Sequence, residues 1–163
     1  MQSQSIYKSN DVEISFISDA PLETIKAKSV MAGGVLNVSD GTFAFKVNIN
    51  SFQGFNNSLQ RIHFMENYME TGQYPEAIFS GHILEDINQV QENRIVRAKG
   101  ELKIHGKSNE VIIKVYLDFG EDKINFTSDF SVLLADHDIG IPLIVRQKIS
   151  EEIYVKVIGS LEP

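Results

Sequence analysis

The chain contains no cysteine, which excludes disulfides, thiolate nucleophiles and cysteine metal sites together. It also lacks any apolar run approaching the roughly 18 residues that carry a helix across a bilayer, so stable membrane insertion is not expected. Its four histidines, His63, His82, His105 and His137, stand far apart, without the His-x-His or His-x-x-x-His spacing of a metal site. Asp136-His137-Asp138 reads as a solvated turn, and His105 before Gly106 as a hairpin residue. There is no Gly-x-Ser-x-Gly elbow and no glycine-rich phosphate loop; Gly33-Gly34 precedes a strand and reads as a bend. Glu66 and Glu70, one helical turn apart, mark an exposed face because like charges repel at that spacing.

Positive charge is also scarce. Fifteen Lys and Arg against 22 Asp and Glu give a formal charge of −7, and the basic residues are scattered. Such a surface repels phosphate, so nucleic acid is not an expected partner, and no patch for an anionic membrane stands out. The opening residues Met1-Gln2-Ser3-Gln4-Ser5 are polar, without the basic-then-apolar layout of a signal peptide. Either the protein is cytosolic, or a signal has been removed and Met1 added for expression. The lack of cysteine suits an oxidising compartment, where a stray thiol would mispair.

What is present from end to end is alternation with period two, the mark of half-buried strands. Phe43, Phe45, Val47 and Ile49 fall on one face, with Thr42, Ala44, Lys46 and Asn48 on the other. Val111, Ile113, Val115 and Leu117 repeat the pattern, as do Ile124, Phe126, Ser128, Phe130 and Val132. Val12, Ile14 and Phe16 form a shorter run, and Ile153, Val155 and Val157 a late one. Turn residues separate the runs at Ser39-Asp40-Gly41, at residues 105–109 and at residues 120–123, and residues 89–93 form a polar connection. One stretch, residues 58–70, reads as a helix: Leu59, Ile62 and Met65-Glu66 recur at three- and four-residue steps, Asn57 or Ser58 stands where a cap belongs, and Gly72 follows. A second, weaker helical turn is read near residues 21–27.

No repeat, linker or composition break divides the 163 residues, so a single domain spanning residues 1–163 is expected. Many antiparallel strands in one domain make a sandwich or a barrel. Strands of about ten residues favour the barrel, because they exceed the usual five or six and closure removes their exposed edges.

The middle of the chain carries a more specific pattern. Ser51-Phe52, Asn57-Ser58-Leu59, His63-Phe64, Asn67-Tyr68, Tyr74-Pro75 and Phe79-Ser80-Gly81 occur in the order and spacing of the YceI-like family, which they resemble. Residues 100–106 (Gly-Glu-Leu-Lys-Ile-His-Gly) resemble that family's Gly-x-Leu-x-Ile-His-Gly hairpin, and residues 138–142 its late aspartate-to-proline stretch. The similarity runs from about Val12 to Leu161; residues 20–23 and Ile141-Pro142 are similar to Bacteroidetes-type members. Arg61 departs from the pattern: the family often carries glutamine or glutamate just ahead of the histidine, so an acid–histidine pair is not carried over.

The resemblance implies an all-β, closed, antiparallel, lipocalin-like barrel of about eight strands, with one short helix after the third or fourth. It implies export, a periplasmic or secreted location, a possible homodimer, and a long-chain lipid such as a polyisoprenoid in the interior. No other cofactor and no metal are expected.

An eight-stranded barrel is just wide enough to be filled by side chains or to hold one small ligand. The expected lining is Phe43, Phe45, Val47, Phe52, Leu59, Phe64, Phe79, Leu102, Ile113, Phe126 and Phe130, interspersed with small residues such as Ala98, Gly100, Ser128 and Gly159. Large beside small is also how a solid barrel packs its taper, and from the residues alone both readings stand. Asn57, His63, Asn67 and Tyr68 are candidates for polar groups at a cavity mouth; their alternative is capping and hydrogen bonding where helix meets barrel. The apolar residues 139–145 form a lid, a dimer contact or an edge packed on the helix. Three functions follow in order of preference: a lipid carrier or sequestration module without enzymatic activity, a ligand-free structural or interaction barrel, and a lipid hydrolase or isomerase with His63 as base.

Overall fold

The computed structural model describes residues 5–163; the polar opening at residues 1–4 lies outside them. Eight strands follow one another in an up-and-down order: β1 (Ile6–Asp19), β2 (Thr24–Asn37), β3 (Thr42–Asn48), β4 (Glu76–Ile83), β5 (Arg94–Ile104), β6 (Lys107–Gly120), β7 (Lys123–Leu133) and β8 (Glu152–Leu161). Each pairs antiparallel with the next, and β1 pairs with β8 to close a lipocalin-like barrel. Among the described residues the single α-helix, α1 (Ser58–His63), follows the third strand.

Period-two burial explains most of the wall. Along β7, Ile124, Phe126, Ser128 and Val132 are buried while Lys123, Asp129 and Ser131 face solvent. β2 begins with the same rhythm at Ile25, Ala27 and Ser29, all buried. That rhythm overrides the helical turn expected near residues 21–27: Thr24 already pairs with Asp19, and only a tight turn, closed by Ala20 N–H donating to the Glu23 carbonyl, precedes it. Gly33-Gly34 likewise lies inside β2 and not ahead of a strand, with Gly34 opposite Phe45 and Gly33 opposite Lys46.

The two ends of the barrel differ. One end carries the connections 38–41, 84–93 and 121–122 and is packed solid by Leu36, Val38, Ile83, Ile87, Leu117, Ile124 and Leu161. Ile87, only 1% exposed, turns into the barrel from a connection whose other apolar residues, Leu84 and Val90, stay exposed. The other end carries α1 and residues 134–151. Phe16, Phe52, Phe55 and Phe64 cluster beneath α1, with ring centroids between 4.9 and 6.3 Å apart.

The helical stretch corrects its own periodicity. Leu59 and Ile62, the expected inner face, are 59% and 43% exposed, and nothing in α1 is buried. A π-helical segment, Phe64–Tyr68, follows directly, and Met69 N–H donates to the carbonyl of Phe64, five residues back. A π turn wraps more residues than an α turn, so the inward face moves to Phe64 and Met69. Both of these line the interior.

Candidate functional site

Between the packed end and the aromatic cluster the barrel encloses a cavity of about 280 Å³. Every strand contributes side chains to it, and its lining is apolar except for Ser128 and Lys46. Neither offers the interior a free polar group. The Ser128 hydroxyl donates to the Lys114 carbonyl at 2.7 Å, and the Lys46 ammonium lies outside, 3.6 Å from Glu76. Ordered water needs two to four polar partners, and an apolar cavity of about 150 Å³ already stays dry and takes up small hydrocarbons. This larger cavity offers nothing to hold water, so its chemistry selects an apolar occupant.

Two glycines shape the wall around it. A Cβ on Gly34 would sit 2.5 Å from Cγ and 2.6 Å from Cε1 of Phe45, and one on Gly159 would sit 2.6 Å from Cζ of Phe126. Each glycine stands directly opposite its phenylalanine on the neighbouring strand. Without Cβ atoms beneath them the two rings lie against the wall and meet at 5.6 Å between centroids. Phe43 and Phe79 extend this aromatic surface, 4.9 Å apart.

Phe43, Phe45, Val47, Phe52, Phe64, Phe79, Leu102, Ile113, Phe126 and Phe130 all face the cavity. The structure places five other candidates elsewhere. Asn57 is exposed, and its side-chain carbonyl accepts the Gln60 N–H at 2.8 Å, so it caps α1. Leu59, His63 and Tyr68 do not line the cavity, and the first two are exposed because they lie on the outer face of α1. Burial raises the Tyr68 phenol above its ordinary value. Asn67 is exposed as well. None of the side-chain hydrogen bonds or ion pairs among the described residues involves His63, which is exposed on α1.

A polar junction that no sequence spacing signals forms at the α1 end. His105 and Gly106 make a two-residue hairpin turn, both with positive φ (55° and 73°), the conformation such a turn requires. The His105 ring faces two acceptors, with Nδ1 3.0 Å from the His137 carbonyl and Nε2 2.9 Å from the Glu70 carboxylate. Tyr74 packs edge-on against it at 4.8 Å. His137 is not part of a solvated turn: it is 2% exposed, and its Nδ1 meets the Lys107 carbonyl at 2.9 Å. Asp136 and Asp138 on either side are exposed as expected. The junction ties the helical segment, the β5–β6 hairpin and residues 134–138 together, and among the described residues no three His, Asp or Glu side chains converge as metal ligands.

Of the apolar residues 139–145, Ile139 is buried and lines the cavity, whereas Leu143 and Ile144 are 77% and 92% exposed. The segment therefore both covers the interior and presents an apolar tip outward.

A family model, the YceI-like domain, matches residues 9–160. No curated protein matches the chain. Among solved structures, a polyisoprenoid binding domain from Saccharophagus degradans, implicated in plant cell wall breakdown, superposes with a TM-score of 0.82 at 15% identity, covering 98% of this chain and 99% of that one. BcnA of Burkholderia cenocepacia gives 0.77 at 14% identity, over 93% and 96% of the two chains. The Campylobacter jejuni YCEI protein gives 0.62 at 14%, over 100% and 88%. At these identities the likeness establishes the fold, and the match over residues 9–160 establishes kinship: the chain belongs to the YceI-like family.

Proposed function

We propose that the protein binds one long-chain amphiphilic lipid, a polyisoprenoid, an isoprenoid quinone or a similar molecule, inside its barrel, and carries or sequesters it without transforming it. The observation that carries this reading is the cavity itself, with an apolar lining and no unsatisfied polar group. Each buried methylene of a tail contributes roughly 0.8 kcal/mol, so a linear chain gains affinity with length and needs no directed polar contact. Specificity then rests on cavity shape and on whatever meets the headgroup. The Saccharophagus degradans relative, described as polyisoprenoid binding, supports the same class of ligand. An exported, lipid-handling role agrees with the cysteine-free chain, and a homodimer built on Leu143 and Ile144 agrees with their exposure.

Mass spectrometry of an organic extract of the protein, purified gently from its native host, tests the reading. A stoichiometric isoprenoid, quinone or fatty amide is the expected result. A repeatedly lipid-free extract from folded protein would transfer the weight to a ligand-free interaction barrel.

A further inference from the structure

The barrel wall is not evenly sewn. β5 and β6 pair along their whole length, from Arg94 opposite Leu117 to Ile104 opposite Lys107, and β7 and β8 pair from Ile124 opposite Leu161 to Leu133 opposite Glu152. Between β6 and β7, however, the register runs only from Tyr116 opposite Thr127 to Gly120 opposite Lys123. Beyond that point no ladder joins residues 108–115 to residues 128–133. An opening lies in the gap, lined by Leu102, Val111, Ile112, Ile113, Phe130 and Ser131. Leu102, Ile113 and Phe130 also line the central cavity. Phe130 lines the cavity and is half-buried.

The slit is bounded at both ends. At its crotch the Ser128 hydroxyl reaches the Lys114 carbonyl. At its far end Asn109 Nδ2 donates to the Asp136 carbonyl at 2.6 Å, and His137 Nδ1 meets the Lys107 carbonyl. Its edges are also complementary. Carried onward from Tyr116–Thr127, the same register would set Val115 against Ser128, Lys114 against Asp129, Ile113 against Phe130 and Ile112 against Ser131. One opposite-charge pair, Lys114 with Asp129, and one apolar pair, Ile113 with Phe130, fall in step, which favours a seam that can close. Ile83, Ile87 and Leu161 fill one end of the barrel, and the Phe16–Phe52–Phe55–Phe64 cluster packs at the other.

We propose that the lipid chain enters and leaves the cavity sideways, through the slit between residues 108–115 of β6 and 128–133 of β7. This rests on the cavity being a lipid site. A passage there requires no repacking of the aromatic cluster and exposes a threading tail to Ile112, Ile113 and Phe130 along its way.

Because the chain has no cysteine of its own, single cysteines report cleanly. Ser131→Cys, at the slit, and Leu143→Cys, at the tip of the 139–145 segment, are each alkylated with a bulky polyethylene-glycol maleimide. Uptake and release of cis-parinaric acid, a long-chain polyene that fluoresces in apolar surroundings, are then followed by stopped flow. The label at residue 131 is expected to slow both rates about tenfold or more, a barrier change of ~1.4 kcal/mol, with little effect on the equilibrium constant. The label at residue 143 is expected to leave the rates unchanged. In Ile112→Cys/Ser131→Cys, oxidation should slow exchange and reduction restore it, so the reduced form serves as its own folding control. Unchanged rates with residue 131 labelled, or slowing by the residue 143 label alone, would overturn the slit as the route. If the unlabelled protein takes up no probe at all, the lipid-site reading fails and the route falls with it, an outcome distinct from normal uptake through another opening.

Discussion

Gly34→Ala is the smallest change that tests the aromatic wall. The added methyl would sit 2.5–2.6 Å from two atoms of the Phe45 ring, against the 3.5–4.0 Å of ordinary carbon contacts, so the ring must withdraw by about 1 Å. One side is blocked by Phe126, 5.6 Å away between centroids, and the open side is the cavity. Overpacking of this kind costs about 1–3 kcal/mol, and the entropic gain of replacing a strand glycine returns about 0.5–1 kcal/mol. A net loss of ~1–2 kcal/mol is expected, about 2–8 °C in melting temperature for a chain of this size. The ring also moves into the space a ligand occupies, so lipid affinity should fall with stability. Chemical denaturation of four proteins, the parent, Gly34→Ala, Phe45→Ala and the double variant, completes a cycle. With the ring gone, Gly34→Ala should be neutral or stabilising by about 0.5 kcal/mol. Equal effects of Gly34→Ala in both backgrounds would refute the argument that Phe45 requires a bare backbone beneath it.

Other consequences are equally direct. Asn57→Ala removes the α1 cap and should cost about 1 kcal/mol in urea denaturation, while leaving lipid affinity unchanged by fluorescence titration, since Asn57 does not face the cavity. For Glu85, burial raises the carboxyl pKa, but the Arg97 N–H and guanidinium, both at 2.8 Å, outweigh it and hold the group below its usual 4.5. A carboxylate depressed in the folded state contributes stability that is present above 4.5 and lost as pH falls through the lower folded value. Arg97 is exposed and Glu85 half-buried, so solvent still screens the pair and the contribution is about 1 kcal/mol; in Glu85→Gln the acid-side slope of melting temperature against pH should flatten. Removing bound lipid should lower the melting temperature: at a free concentration of 100 Kd a ligand adds ~2.7 kcal/mol, so calorimetry should show a drop of about 5–10 °C.

The parts of this molecule that could be read from the chain were those governed by period two. The alternation at Phe43–Phe45–Val47, at Ile113–Val115–Leu117 and along residues 124–132 identifies the inner face, because a strand side chain has only two directions to take. The helical stretch misleads because a period of 3.6 assumes α geometry, and the π turn at Phe64 moves the inward face by its extra residue. Gly33-Gly34 looks like punctuation, but its purpose depends on Phe45, a partner on another strand. The β6–β7 slit leaves no mark in either strand, since pairing depends on a neighbour that neither strand's own sequence specifies. The junction of Glu70, His105 and His137 is likewise a product of chain ends and hairpins meeting, which local pattern cannot encode.

The meander order has a kinetic consequence. Seven of the eight seams join neighbours in sequence, so each forms by closing a hairpin or a modest connection, and only the β1–β8 seam spans the chain. The long β5–β6 hairpin, with its tight turn at His105-Gly106, supplies a local nucleus on which β4 can add at once. Closing β1 on β8 bears the largest loop entropy and comes last. Until then β1 and β8 are free edges, and the apolar inner faces of Ile14, Phe16, Val155 and Val157 stand open to water and to other chains. The hazardous interval in the life of this protein is therefore its nearly finished state, and refolding yield should depend on concentration even where the rate of forming the first hairpins does not.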